Sequence, residues 1–169
     1  MITIEHISPE LAEELCRKIT ANLPEYFGLA EANEHYAIGV RSHINWAAKV
    51  NSEYVGLISI DFPYPKNANI YWMAVLQNFH KKGIGRNLAE SAFRYAKIKR
   101  AKTISVETLA PHESDKNYLK TYQFYQQLGF LPLFNLKPSG YEWDMVYMVK
   151  TLGDISIAKP KDTVNSFPF

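Results

Sequence analysis

Apolar and polar positions alternate at Ile2, Ile4 and Ile7, and this predicts a short opening strand. Ser8-Pro9-Glu10 then starts a helix, with Ser8 as N-cap, Pro9 at the first helical position and Glu10 in the first turn. Leu11, Leu15, Lys18 and Ile19 follow at helical spacing, with Cys16 as a small apolar residue among them, until Pro24 breaks the run. Tyr26-Phe27-Gly28 reads as a loop and 31–40 as a second short helix. Strands at 46–50 and 54–61 flank Asn51-Ser52 and make a hairpin. A proline-bearing loop over 62–67 leads to 70–76, which is apolar throughout and reads as a strand covered on both faces.

From Gln77 the pattern turns polar and basic, then Gly83-Ile84-Gly85 opens a helix. Ile84, Leu88, Ala89, Ala92, Phe93 and Ala96 form its apolar face; Glu90, Arg94, Lys97 and Arg100 fall on the other side. A buried strand at 103–109 follows, so a strand-helix-strand crossover makes this strand parallel to the one at 70–76. A polar loop at 110–115 precedes a helix at 118–128, ended by Gly129. Strands at 130–136 and 144–150 close the pattern around Lys137-Pro138-Ser139-Gly140. This is one α/β (α+β) domain over 1–152, with 153–169 as a loosely ordered tail; Ile155 and Ile157 offer a short edge strand as the alternative.

A strand feeding a glycine turn into a helix start suits an anion. First-turn N–H groups lack partners within the helix, and the helix dipole is positive there. From His80 to Lys102 there are eight Lys/Arg against the single acid Glu90. A diphosphate or a similar group is the expected ligand. A Walker A loop requires Gly-Lys-Ser/Thr, which Gly85-Arg86-Asn87 lacks, and a Rossmann fingerprint requires a third Gly or Ala where Leu88 stands.

His80-Lys81-Lys82-Gly83-Ile84-Gly85 instead resembles the Arg/Gln-x-x-Gly-x-Gly/Ala loop of GNAT-type N-acetyltransferases, with His80 in the Arg/Gln place. Met73-Ala74-Val75-Leu76 before it and Arg86-Asn87-Leu88 after it are similar to that family too. A second match lies further on: Phe124-Tyr125-Gln126-Gln127-Leu128-Gly129-Phe130 resembles the family's late Phe-Tyr-x-x-x-Gly-Phe segment. The resemblance implies a mixed, twisted sheet of six or seven strands with about four helices. It also implies acetyl-coenzyme A as the donor and an amine as the acceptor.

The same resemblance distributes the roles. The loop Lys81, Lys82, Gly83, Ile84, Gly85 and Arg86, with His80, would hold the pyrophosphate. The strand residues Met73, Ala74 and Val75 would pair with the pantetheine arm at a splayed edge, a backbone N–H near Val75 polarising the thioester carbonyl. Tyr118 stands where many members have Asn, and Thr121 where many have Ala; Tyr118 is assigned to the coenzyme. Tyr125 would stabilise the leaving thiolate. The carboxylate that some histone-type members carry at the start of the central strand is replaced by Asn69.

The acceptor amine needs a route for its proton. Glu107, at the end of the strand after the loop helix, is the first candidate, with Asp61 and Asp144 as alternatives. Tyr26, Phe27, Tyr64 and Trp143 are expected around the acceptor cleft, which suits a small amine with an apolar body or a peptide N-terminus. A non-catalytic acyl-coenzyme A sensor is the alternative reading.

Composition narrows the rest. A net charge of +2 gives no global case for nucleic acid. One cysteine, Cys16, rules out an intrachain disulfide and fits a reducing, cytoplasmic setting. No apolar run approaches the roughly 18 residues of a membrane span. Histidines at 6, 35, 43, 80 and 112 lack metal-ligand spacing, and no metal is expected. A homodimer is left open.

Overall fold

Asn51 and Ser52 take φ values of 47° and 70°, the two left-handed residues of a type I′ turn, and they fold β2 (Ile44–Val50) onto β3 (Glu53–Tyr64). The structure is a computed structural model and describes residues 1–113 and 115–153. The expected tail lies outside those residues apart from Gly153, as do Ile155, Ile157 and Ser114. With β1 (Ile2–His6), β4 (Asn67–Val75), β5 (Thr103–Leu109), β6 (Leu131–Leu136) and β7 (Met145–Thr151), the strands form one sheet in the order β1-β2-β3-β4-β5-β7-β6. Every pairing is antiparallel except β4 with β5, the pair joined by the crossover helix.

Four helices accompany the sheet: α1 (Pro9–Asn22), α2 (Ala30–Gly39), α3 (Ile84–Ile98) and α4 (Lys116–Gln127). Ser8 caps α1 as expected, its Oγ accepting from the Leu11 N–H at 3.3 Å. The apolar stripe Ile84, Leu88, Ala89, Ala92, Phe93 and Ala96 is buried in full. It lies on one face of the sheet, where Leu88 packs beside Gly56 and Tyr95 beside Trp46. The first two helices take the other face. There Asn45 donates to the Val40 carbonyl at 2.8 Å and Tyr71 rests on Gly39.

One irregularity shapes everything nearby. Ser59 pairs with Trp72, but Ile60 pairs with Ile70, so Tyr71 is an extra residue in β4. The bulge turns Tyr71 and Trp72 toward the same face. Tyr71 meets Tyr36 of α2 and stacks on His43 at 4.0 Å, while Trp72 meets Phe27. It also costs polar satisfaction, for the buried Ser59 hydroxyl and Trp72 indole N–H have no protein partner among the described residues.

Two expectations need correction. The loop at 62–67 is shorter than expected, because β3 continues to Tyr64 and β4 begins at Asn67. Pro63 fits because pairing is interrupted between Asp61 and Tyr64, where no N–H is required. The central strand is also not buried on both faces throughout. Ala68, Ile70, Trp72 and Val75 are buried, but the residues between them are half-buried. No helix among the described residues is long and apolar enough to cross a membrane.

Gly39 tests how tightly α2 is locked to the bulge. A Cβ there would stand 2.0 Å from the Tyr71 hydroxyl oxygen and 2.7 Å from its Cζ. Gly39→Ala is expected to cost about 1–3 kcal/mol, the usual range for overpacking. Urea unfolding would measure it, and an unchanged midpoint would show that the ring and helix are free to separate.

Candidate active site

Gly83 is the N-cap of α3 with φ of 77°, and no side chain caps this helix. Its first internal bond runs from the Asn87 N–H to the Gly83 carbonyl at 3.0 Å, so the N–H groups of Ile84, Gly85 and Arg86 have no partner within the helix. By contrast α4 is capped by Asp115, whose carboxylate accepts from Asn117 and Tyr118. Lys81, also at positive φ (60°), Lys82 and Arg86 adjoin the uncapped end in sequence, and the Lys82 ammonium lies 5.0 Å from the centre of the Phe79 ring. These residues fit a diphosphate.

The two glycines have different reasons. A Cβ on Gly83 would meet nothing within 4 Å, so its backbone angle and an open approach are what favour glycine there. A Cβ on Gly85 would meet the Phe124 ring at 3.2 Å and the Met73 Cε at 3.5 Å. Gly85 therefore lets α4 lie close to the start of α3.

His80 is used differently from the expectation. Its Nε2 lies 2.6 Å from the Val75 carbonyl, so this nitrogen donates and fastens the loop to the end of β4. Tyr118 likewise spends its hydroxyl on the Tyr26 carbonyl at 2.5 Å, which ties α4 to the segment after α1. Both side chains hold the loop surroundings in place.

Beyond the bulge, β4 and β5 part. Their parallel register runs from Asn67 opposite Thr103 to Ile70 opposite Val106 and stops there, although the strands continue to Val75 and Leu109. The Leu76 N–H donates to the Val55 carbonyl at 2.8 Å, which fixes the alternation on the β3 side. Residue Ala74, opposite Leu57, turns its backbone to β3, whereas Met73 and Val75 turn theirs toward the gap. Of the three strand residues expected at the coenzyme, Met73 and Val75 thus present backbone groups to the opening, and Ala74 does not.

Glu107 is the first β5 residue past the end of that pairing. It stands opposite Tyr147 of β7. Burial, and then the neighbouring Glu107 carboxylate, push the Tyr147 phenol up to about 12. Burial first, and then the nearby Tyr141 and Glu107, raise the pKa of Tyr36 of α2. Phe134 stacks on Tyr147 at 5.2 Å. The sequence did not single out Tyr36, Tyr71, Tyr141, Tyr147 or Phe134. Alternation places Tyr147 on one face of its strand, but only the strand order brings that face beside Glu107.

Tyr125 lies on the opposite face. Its ring meets Phe124 and Phe130, and Phe130 meets Phe93 of α3. The Phe130 N–H donates to the Tyr125 carbonyl at 3.0 Å and the Gly129 N–H to the Gln126 carbonyl at 3.0 Å. With Gly129 at φ of 93°, this is a Schellman cap whose ring contact is Tyr125 against Phe130. The Gly-Phe that ends the motif therefore anchors the tyrosine. Burial raises the Tyr125 pKa above its ordinary value.

Other candidates fall elsewhere. Tyr64 is 73% exposed at the β3–β4 turn, the far end of β4 from Val75, and does not join Tyr26 and Phe27. Trp143 is exposed in the β6–β7 connection. Asp61 accepts from Asn69 at 3.0 Å, and Asn69 in turn accepts from Ser105. Asp144 bonds His112 at 3.0 Å, and its N–H donates to Glu113 at 2.8 Å. His112, Glu113 and Asp144 thereby gather in a way that sequence spacing does not show, and their ligand atoms lie within 4.8 Å of one another. They serve one another in closing the loop. Cys16 is buried, which pushes its thiol up to about 12 and makes it inert.

The family model described as "Acetyltransferase (GNAT) family" matches residues 9–130. No curated protein matches the sequence. Solved structures share the fold. The ribosomal-protein-S18-alanine N-acetyltransferase from Escherichia coli superposes with a TM-score of 0.72 at 15% identity, over 95% of this chain and 99% of that one. A GNAT family acetyltransferase from Elizabethkingia anophelis with acetyl-CoA bound gives 0.66 at 21% identity, over 89% and 98%. Ard1 from Thermoplasma volcanium gives 0.73 at 16% identity, over 90% and 99%.

The distinction between the two glycines is measurable by calorimetry with coenzyme A. Gly83→Asp places a carboxylate in open space beside the loop cations; the left-handed backbone angle costs about 1 kcal/mol, so the variant should still fold with a slightly lowered melting temperature. It is expected to weaken binding about 100-fold or more, the scale of like-charge juxtaposition. Gly85→Ala should instead lower thermal stability through Phe124. Unchanged affinity in a folded Gly83→Asp protein would remove the loop from the binding site.

Proposed function

This chain belongs to the acetyltransferase (GNAT) family, and we propose that it moves an acetyl group from acetyl-coenzyme A to a primary amine of a small molecule or peptide. The observation that carries this reading is the early end of β4–β5 pairing at Ile70 and Val106, with Met73 and Val75 turned toward the gap beside an uncapped helix start. A donor with a diphosphate at one end and peptide-like amides along its arm matches both features. The diphosphate takes Lys81, Lys82, Arg86 and the first α3 N–H groups. The arm pairs with Val75, and the thioester lies toward the closed end of the gap. Met73, nearer that end, is better placed than Val75 to polarise the thioester carbonyl with its N–H.

In the reaction the amine nitrogen bonds to the acetyl carbon, the carbon–sulfur bond breaks, and the sulfur leaves as thiolate. The nitrogen must shed a proton. An alkylammonium has no lone pair, so it first loses one proton; with pKa values of about 10 for the ammonium and about 4 for a glutamate, Glu107 relays that proton to solvent rather than keeping it. Once the neutral amine has bonded to the acetyl carbon its nitrogen is strongly acidic, and Glu107 takes the second proton. Tyr125 assists the thiolate. A thiol has a pKa of roughly 8.5 and an ordinary tyrosine about 10, and burial raises Tyr125 further. The phenol therefore donates a hydrogen bond and keeps its own proton; the proton that ends on the sulfur comes from solvent.

Thiol-release kinetics test this assignment. Tyr125→Phe is expected to lower kcat by about 10²-fold, the low end for acid–base assistance, with donor affinity unchanged. Because Tyr125 acts protonated and its pKa is raised, its ionisation should reduce the wild-type rate only above pH ~10. Equal turnover in the phenylalanine variant would return Tyr125 to a packing role. Coenzyme binding without thiol release from any amine would make the chain an acyl-coenzyme A sensor.

A further inference from the structure

Edge strand β6 is exposed along its whole length, Leu131–Leu136, and it carries no charged residue. Edge strands are usually protected by charge or cover. Leu131 is 69% exposed, Phe134 51% and Leu136 53%. Their β7 partners are Val149, Tyr147 and Met145. Those three alternate along β7, so the apolar residues of β6 share one face with Tyr147. A shift in register between Pro132 and Phe134 brings Phe134 into line with Leu131 and Leu136.

This shelf is continuous with the candidate acceptor site. Phe134 stacks on Tyr147, Tyr147 stands opposite Glu107 on the neighbouring strand, and Glu107 stands where β4 and β5 part. An acid marks the inner end and apolar surface the rest. Neither β6 nor β7 contains a carboxylate. The other acids considered are engaged, Asp61 with Asn69 and Asp144 with His112.

We propose that this shelf binds the body of the acceptor, a singly charged primary amine with an extended aromatic or aliphatic group, whose ammonium sits at Glu107 and whose body covers Tyr147 and Phe134. The proposal rests on the acetyl-transfer reading. A second positive charge along the body would lie over apolar surface with no partner, which desolvation opposes. Polyamines and other polycations are therefore poor acceptors. Charge complementarity and continuity with Glu107 favour this occupant over a second copy of the chain, which would pair along the β6 edge.

The test compares 2-phenylethylamine, ethylamine and 1,4-diaminobutane by thiol release, in wild type and in Phe134→Asp and Phe134→Ser. Because Phe134 is exposed, both variants should keep the wild-type melting temperature. Wild type is expected to favour 2-phenylethylamine over the other two by at least about tenfold in kcat/KM, the scale of burying one aromatic group. Both variants should lose that advantage and keep donor KM. Equal losses on all three amines, or none, would overturn the proposal while leaving the transferase reading intact. If wild type releases thiol with no amine, NMR titration of the coenzyme A-bound protein decides instead. Saturable 2-phenylethylamine binding that both variants abolish would uphold the shelf with the transferase reading gone, and no binding would overturn both. A wild-type dimer by sedimentation that Phe134→Asp splits would make a second copy the occupant and overturn the proposal.

Discussion

The hydrogen bonds that β4 and β5 do not make are the constraint on which the site depends. A parallel pair that continued past Ile70 and Val106 would satisfy both strands and leave no opening. The bulge at Tyr71 prevents this by rotating β4, and the price is visible beside it in the unpartnered Ser59 and Trp72 groups. The bulge is held from one side by α2, where Gly39 leaves room for the Tyr71 ring, and by His43, whose ring lies on it. The helical cap before the sheet's central hairpin thus bears directly on the chemistry of a gap several residues away.

The gap separates two chemically different faces. On the α3 face the environment is apolar and Tyr125 is fixed by a helix cap, so its hydroxyl stays protonated. On the α2 face Glu107 lies among tyrosines, in surroundings that suit a charged amine. The other end of the same gap lies beside an uncapped helix start, with Lys81, Lys82 and Arg86 next to it in sequence. On the proposed reading, this single interruption in the sheet gives separate approaches to an anionic donor and a cationic acceptor. Charge of opposite sign at the two approaches also discourages either ligand from taking the other's place.

Much of this was legible in the chain. Strand and helix periods, the Ser8-Pro9 start, the Asn51-Ser52 hairpin and the glycine turn from Gly83 to Gly85 depend on local physics, and local physics is what a sequence displays. The Phe124-to-Phe130 motif was legible as a family likeness, and its Gly129 as a cap. That the motif positions Tyr125 through Phe130 required the structure. What the chain does not display are contacts distant in sequence. His80 and Tyr118, expected at the coenzyme, bond the Val75 and Tyr26 carbonyls. Tyr64 looked like part of an aromatic cleft because sequence does not say at which end of β4 a turn lies. Tyr36 and Tyr147 come from separate segments, and only the strand order and the placement of α2 bring them near Glu107.

Residue-resolved hydrogen exchange, with and without acetyl-coenzyme A, examines the gap itself. The amides of Met73 and Val75 face the opening, while that of Ala74 faces β3. Donor binding should slow exchange at Met73 and Val75 and leave Ala74, already paired, nearly unchanged. Saturable binding of acetyl-coenzyme A with no added protection at Met73 and Val75 would place the donor elsewhere and contradict the role assigned to the parted strands.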